Sequence, residues 1–403
     1  MARGLSVCIL SLESVVNPPG GLGIYARDLA TTLSQRGVNV YLISKESNRF
    51  VSSLIDNDHL RHHAITTFSI SPFYAMPYNV AAARTINSLQ RKESIDLVHD
   101  NLPMPSILFW RKRTTPLVIT LHSTVSGEFK SLRSSLSGAL VQGETKTLTT
   151  SKIQLLFERW GYARSDKLIA LSKAMANEVS SRYPSVAQKL EVIPCGVDTQ
   201  RFSPDLDGLR VRSRLSLQDK KIILYVGRIT HRKRLIDAVV ALKNVCKTVP
   251  NVVMMIVGAK NAYSHQLESL ALDWGMKDKI LFTGYVPESQ IQYFYAACDV
   301  FIHVSTYEGL PNSVVRAMSC GKTCIVSSFE GVEELLNDRT TGIVVPVMNP
   351  GILAKVISSV LAQDELRKLI GGKARETVVK HFGLDVVADQ MISLYEDVTS
   401  HRR

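Results

Sequence analysis

Ser305-Thr306-Tyr307-Glu308-Gly309-Leu310-Pro311-Asn312-Ser313-Val314-Val315-Arg316-Ala317-Met318-Ser319-Cys320-Gly321 is the stretch that decides the fold. It follows the apolar run Asp299-Val300-Phe301-Ile302-His303-Val304, which predicts a buried parallel strand. It leads into a segment whose apolar positions, Val314, Val315 and Met318, recur at helical spacing. Pro311 suits a first helical turn, and Asn312 and Ser313 put polar groups beside the free amides there. The carboxylate of Glu308 thus falls between a strand's carboxyl end and a helix's amino end. Open α/β sheets bind ligands at that place, and the helix dipole there favours an anion. Taken alone, Glu308 also reads as an ordinary solvated loop residue.

Working outward, strands and helices alternate on both sides of this stretch. Apolar strands are predicted at 5–12, 38–44, 64–68, 95–99, 116–122 and 167–171, with helices at 24–35, 80–90 and 173–182. A Pro/Gly-broken connection at 194–204 follows, and the alternation restarts at 221–226, 251–257, 279–282, 299–304, 323–327 and 342–345. From Ala354 to Glu396 the pattern is helical. Such alternation means parallel sheets covered on both faces, and 403 residues are too many for one ordinary core. Two doubly wound α/β domains with a hinge near 194–204 are the simplest architecture.

The hydrophobic fraction of 45% and charged fraction of 21% are those of a water-soluble globular chain. No apolar run reaches bilayer length, and the start reads as a first strand, not a signal peptide. The six cysteines lack zinc-site spacing, which fits free thiols in a reducing cytoplasm. The net charge of +12 points to an acidic partner.

Several stretches carry chemistry. Gly227-Arg228-Ile229-Thr230-His231-Arg232-Lys233 follows the strand 221–226, and Arg228 and Lys233 suit a diphosphate at a strand end. His122 ends the strand 116–122, and His99 ends 95–99. Gly20-Gly21-Leu22-Gly23 reads as a flexible loop that brings backbone close to a phosphate or sugar. Gly21-Leu22-Gly23-Ile24-Tyr25-Ala26 also matches a dinucleotide fingerprint, with Glu46 twenty residues beyond Ala26. The seven residues Glu13 to Pro19 between strand and glycines argue against a nicotinamide cofactor.

Taken together these stretches resemble the family-four retaining glycosyltransferases of the GT-B fold. Ser-x-x-Glu-Gly-x-Pro before a helix ending Ala-Met-x-x-Gly is similar to their donor-site signature. Gly227-Arg228-x(4)-Lys233 is similar to their phosphate element, His122 to their reaction-centre His, and Gly20-Gly21 to their Gly-Gly element. Asp96-x-Val98-His99, 165–172, 192–198, Gly258, Gly284-Tyr285-Val286-Pro287 and Gly331-Val332-Glu333-Glu334 complete the series.

The resemblance implies two Rossmann-like domains facing each other across a cleft. Residues 1–195, with a returning helix at about 385–403, would form the acceptor side, and 196–384 the donor domain. It implies metal-independent, retaining transfer of a hexose from a nucleotide-diphosphate sugar to a hydroxyl of a glycan, glycoside or lipid-linked acceptor. The donor is the substrate, and no further cofactor is expected. Glu308 would accept hydrogen bonds from sugar hydroxyls. Arg228 and Lys233 would stabilise the leaving diphosphate, and His122 would contact the sugar. Gly20, Gly21, Val286, Gly309, Leu310, Pro311 and position 316 would complete the donor site.

Three residues depart from the pattern: Cys195 for Asn, Arg234 for Gly, and Arg316 for a second Glu. Arg offers donors only, so a charge-assisted contact to ribose hydroxyls is lost. Three outcomes are open: weaker or altered nucleotide binding, a donor with a phosphate near Arg316, or lost transferase activity on a retained fold. A sugar-binding or scaffold protein, a nucleotide-sugar epimerase or a phosphorylase are the competing readings. Asp56-Asn57-Asp58 matches the metal-binding Asp-x-Asp of the other glycosyltransferase fold and reads as a chance match, so no metal ligand is expected.

Residues 101–175 hold 11 Lys+Arg against 4 Asp+Glu, which accounts for the whole cationic surplus of the first 200 residues. Trp110-Arg111-Lys112-Arg113 lies here. So does a stripe of Ile153, Leu156, Phe157 and Trp160 beside Lys152, Arg159 and Arg164. The stripe reads either as a core-facing side of a solvated helix or as a cationic amphipathic surface for anionic lipid. Nucleic acid is not expected, since no stacking or groove-reading module is present.

Overall fold

The structure, a computed structural model, describes residues 4–16, 20–47, 55–67, 75–101, 115–135 and 142–400. Trp110 to Arg113 lie outside the described residues. The chain divides into two compact units. Met1–Ser126, Thr149–Gly196 and Leu384–Arg403 form the first, and Gly127–Leu148 with Val197–Gly383 form the second. The expected acceptor-side stretch 1–195 is therefore interrupted: 127–148 belongs to the second unit.

The first unit holds a seven-stranded parallel sheet in the order β3-β2-β1-β4-β5-β6-β7. Its strands are β1 (Ser6–Ser11), β2 (Asn39–Lys45), β3 (Leu60–Ile65), β4 (Leu97–Asp100), β5 (Leu117–Leu121), β6 (Lys167–Ala170) and β7 (Leu190–Val192). The helices are α1 (Gly21–Gln35), α2 (Met76–Lys92), α3 (Val125–Ser135), α4 (Gln142–Arg164) and α5 (Lys173–Arg182). Of these, α3 and the first turns of α4 fall largely in the second unit.

Strand β3 and helix α1 both start earlier than expected. Strand β3 starts at Leu60, because Leu60 pairs with Val40 and the register runs on to Ile65 opposite Lys45. The polar Arg61-His62-His63 run lies outside the expected strand 64–68, yet His62 is buried with Nε2 2.7 Å from Ser44 Oγ. Helix α1 starts at Gly21, so the glycines form its first turn, not a loop.

The second unit holds a six-stranded parallel sheet in the order β10-β9-β8-β11-β12-β13. Its strands are β8 (Lys221–Val226), β9 (Val252–Val257), β10 (Ile280–Gly284), β11 (Val300–His303), β12 (Thr323–Ser327) and β13 (Ile343–Val345). Helices α6 (Leu209–Arg214), α7 (Leu235–Thr248), α8 (Ala262–Asp273), α9 (Ile291–Ala297), α10 (Asn312–Ser319), α11 (Val332–Leu335), α12 (Pro350–Leu361) and α13 (Asp364–His381) surround it. Continuous apolar runs such as Val252–Val257 are buried throughout, as strands covered on both faces must be. Ile223, Met254, Ile256, Ile302, Leu242 and Ile357 make the centre of that core.

The last helix, α14 (Leu384–Ser400), belongs to the first unit. Arg36 at the end of α1 ties it down through Asp385 at 2.9 Å and Asp389 at 2.5 Å. Among the described residues no helix is long and apolar enough to cross a membrane.

Candidate active site

In each sheet the strand order reverses at one seam, and ligands of open α/β sheets bind beyond the carboxyl ends of the strands there. In the second unit the seam lies between β8 and β11, where Ile223 pairs with Val300 and Leu224 with Phe301. The two loops leaving that seam are 227–234 and 304–311. They are the two stretches in which the sequence places Arg228, Lys233 and Glu308.

After β8 the chain makes a single 3-10 turn, His231–Lys233, closed by Lys233 N–H on Thr230 O at 3.1 Å. Lys233 Nζ donates to Glu308 Oε1, and His303 Nε2 lies 3.0 Å from the same oxygen. Arg232 Nη1 donates to Tyr307 O at 2.8 Å and lies 4.0 Å from Glu308 Oε2. One carboxylate thus gathers two cations and an imidazole, all largely buried.

The charges adjust to this crowding. Burial pushes the Lys233 ammonium down to about 8, against the pull of Glu308. Burial pushes the Glu308 carboxyl up, but Lys233, Arg232 and His303 outweigh it and hold it well below the usual carboxylate range. Burial also lowers His303, whose ring lies parallel to Tyr225 with centroids 6.4 Å apart.

Arg228 behaves differently. It is exposed and makes no ion pair among the described residues, while Tyr225 Oη donates to its carbonyl at 2.8 Å and holds its backbone. Among the described residues the seam therefore presents Arg228 as an open cation beside two internally compensated ones, Arg232 and Lys233.

Gly309, Leu310 and Pro311 are buried, and α10 begins with Pro311 as its cap residue. Pro311 makes no side-chain cap, so the first amides of α10 have none from that residue. Val286 is half-buried in the segment after β10.

Position 316 is drawn elsewhere. Arg316 is buried, its Nη1 lies 2.9 Å from Glu288 Oε1, and its guanidinium stacks on Phe202 at 4.6 Å. Arg201 shares the same carboxylate at 3.1 Å. Arg234, which stands where the pattern has Gly, spends its charge on Asp237 through two contacts of 2.9 and 2.7 Å.

In the first unit, burial pushes the His122 imidazole down to about 3, so it is neutral near pH 7. Its Nε2 has no hydrogen-bond partner among the described residues, and its ring meets Tyr25 edge-on at 4.7 Å. His99, also pushed down to about 3 by burial, is a structural hub. Its Nδ1 lies 2.5 Å from Tyr395 Oη on α14, and its Nε2 lies 2.7 Å from Thr120 Oγ1.

The expected glycine loop does not hold open a place for a phosphate. Glu13 Oε2 accepts the Leu22 N–H at 2.9 Å, so the chain's own carboxylate sits at the amino end of α1. A β-carbon at Gly20 would overlap that carboxylate, and one at Gly23 would overlap Ser14 O. These glycines admit the 13–16 loop, and a phosphate would have to displace Glu13.

Glu46 is likewise spent internally, on Ser14 Oγ at 2.5 Å, Val15 N–H at 2.8 Å and Ser44 Oγ at 2.6 Å. Asp56 and Asn57 accept the His62 and His59 N–H groups and shape a turn.

Arg232 and His303 are the site residues that sequence reasoning missed. Both carry a signal in retrospect: Arg232 adjoins Lys233 directly after a buried strand, and His303 ends the buried strand five residues before Glu308.

Two doubly wound units, one of them gathering cations and a carboxylate at its seam, define an α/β protein of the two-Rossmann class. The family model for Glycosyltransferase Family 4 matches residues 19–201, and that for Glycosyl transferases group 1 matches 210–377. The chain belongs to the family-four, group 1 glycosyltransferases of the GT-B fold and is a glycosyltransferase.

Among similar proteins, D-inositol 3-phosphate glycosyltransferase of Xylanimonas cellulosilytica is 24% identical, over 99% of this chain and 98% of its own. Sucrose-phosphate synthase from Thermosynechococcus elongatus shares the fold with a TM-score of 0.79 at 22% identity, covering 98% of this chain and 100% of its own. Anabaena HepE in complex with UDP-glucose does so with a TM-score of 0.76 at 18% identity, covering 98% and 100%.

Proposed function

We propose that the protein is a retaining, metal-independent hexosyltransferase that uses a nucleoside-diphosphate sugar and a hydroxyl acceptor. The observation that carries this reading is the gathering of Lys233 and Arg232 on Glu308 beside the open Arg228, at the seam of the second sheet. A diphosphate leaving group develops negative charge, and preorganised cations in a poorly hydrated site stabilise it without a divalent ion. Glu308, held ionised, accepts hydrogen bonds from sugar hydroxyls. His122 is the neutral hydrogen-bonding group for the reacting sugar, since its Nε2 has no partner among the described residues. The name of the Xylanimonas relative supports a small polyol phosphate as one acceptor class, and the UDP-glucose bound to HepE supports the donor class.

The experiment is calorimetry against UDP, GDP and ADP and their glucose conjugates. The reading expects one tight diphosphate, with affinity lost in Arg228→Ala. No response to any of them overturns it.

We also propose contact with an anionic membrane through α4. Ile153 and Leu156 are 47% and 67% exposed, beside the exposed Lys152 and Arg159. The expected stripe is split, however: Phe157 and Trp160 are half-buried, with Trp160 against the core and its ring 4.8 Å from the Arg164 guanidinium. Sedimentation with phosphatidylglycerol vesicles at low salt tests this, and no binding sinks it.

A further inference from the structure

The cationic turn at the seam is gripped from outside both motif stretches. Glu144 lies in the first turn of α4, inside the 127–148 segment that belongs to the second unit. Its carboxylate spans one residue of the turn completely. Oε1 accepts the His231 N–H at 2.6 Å, and Oε2 faces His231 Nδ1 at 2.7 Å. His231 is fully buried, and its ring stacks on Tyr263 with centroids 4.0 Å apart. His231 thus cannot rotate or shift without breaking a two-point contact, and the next two residues of the turn are Arg232 and Lys233.

The same segment touches the facing loop. Ser131 Oγ and Ser135 Oγ lie 2.5 and 3.1 Å from Thr306 Oγ1, and Glu128 lies 3.8 Å from Arg232 Nη2. Thr306 N–H in turn donates to Arg232 O at 3.2 Å. A β-carbon at Gly127 would overlap the Tyr307 ring, so that approach is as close as a residue without a side chain allows. Arg234 Nη1 adds a contact to Ser135 O at 3.4 Å. Loops 227–234 and 304–311 are therefore held against each other directly and through residues 127–148.

We propose that Glu144 is a positioning residue for donor binding: through His231 it sets the turn that carries Arg232 and Lys233 to the diphosphate. The proposal rests on the nucleoside-diphosphate reading of the seam. Glu144 touches no ligand in it. Its effect reaches the phosphates through the turn, and the nucleoside is bound by other parts of the site.

The test measures, by calorimetry, the affinity of the full chain for UDP, GDP and ADP and for the matching nucleosides. In Glu144→Ala the advantage of the diphosphate over its nucleoside falls by about tenfold, while nucleoside affinity stays within about twofold. Glu144→Gln retains most of the advantage, because its amide accepts the N–H and donates to Nδ1 after a tautomer change. Glu144→Asp keeps the charge but not the span, and loses the advantage as Ala does. It also serves if the Ala variant fails to fold. Folded Glu144→Asp or Glu144→Ala protein with an undiminished diphosphate advantage overturns the proposal and leaves the functional reading standing. Wild-type protein that binds no diphosphate overturns both.

Discussion

Arg316 and Glu288 form a buried ion pair at 2.9 Å, and Arg201 reaches the same carboxylate oxygen at 3.1 Å. The guanidinium of Arg316 also covers the ring of Phe202, so three separate segments of the second unit meet around it. An Arg in place of the family's second Glu suggests a changed donor when only the linear pattern is in view. Its charge is compensated internally, which argues against a phosphate bound by Arg316 itself and gives the residue a structural task.

Installing the family residue should therefore harm the fold. Arg316→Glu puts two carboxylates where one ion pair stood, and breaking such a buried pair costs about 3 kcal/mol. Urea unfolding should show that loss, and Arg316→Glu combined with Glu288→Gln should recover part of it. A single variant as stable as wild type would mean that the pair contributes nothing.

Lys233 makes donor binding depend on pH. Its ammonium titrates at about 8 in the ligand-free chain, and only the charged form attracts a diphosphate. Diphosphate affinity should therefore fall as pH rises through 8, by up to about tenfold per unit until the bound-state pKa is passed. Lys233→Arg, which stays charged throughout, should flatten that limb. The sign for folding is opposite. The folded value lies below the ordinary 10.5, so the unfolded chain binds more protons between about 8 and 10.5. The Lys233 contribution to ligand-free stability should rise across that interval.

The strands that flank the second seam, and the loops that leave them, were legible because strands buried on both faces read as continuous apolar runs, as at 222–226 and 300–302, whereas the strand order that makes the seam was not. Strand β3 was less so: it is an edge strand whose buried polar residue, His62, depends on Ser44, a partner eighteen residues away. The start of α1 was misplaced because glycines signal loops, whereas here they admit Glu13 and Ser14. Membership of 127–148 in the second unit leaves no periodic trace, since it shows only in contacts between residues far apart in sequence, such as Glu144 with His231 across 87 positions. Glu308 and Lys233 could be named separately, but their ion pair and the role of Arg232 needed the folded loops.

Acid should weaken the first unit through its neutral histidines. His99 and His122 titrate at about 3 when folded, against an ordinary value of 6.5. Between those values the unfolded chain binds more protons, so their contribution to stability falls as pH drops from about 6.5 towards 3. His122→Gln should make the urea midpoint less steep over that range. Tyr395→Phe should cost about 1 kcal/mol at neutral pH by removing the hydroxyl partner of His99. An unchanged acid limb in His122→Gln would show that this imidazole is not held neutral by the fold.

Arg234 offers a measurement of strain at the seam. It adopts φ +48° and ψ +34°, in the left-handed region that its family counterpart, a glycine, enters freely. For an L residue other than glycine that conformation costs about 1 kcal/mol. The two-point pair with Asp237, with both side chains mostly buried, offsets the cost. Arg234→Ala keeps the strain and loses the pair, whereas Arg234→Gly loses both. The Gly variant should therefore be the more stable of the two by about 1 kcal/mol, even though glycine has the more flexible unfolded chain. The wild type should exceed the Ala variant by the worth of the pair, about 1 to 3 kcal/mol. Equal stability of the Ala and Gly variants would mean that the turn relaxes once the guanidinium is gone, and that the pair with Asp237 is what holds residue 234 left-handed.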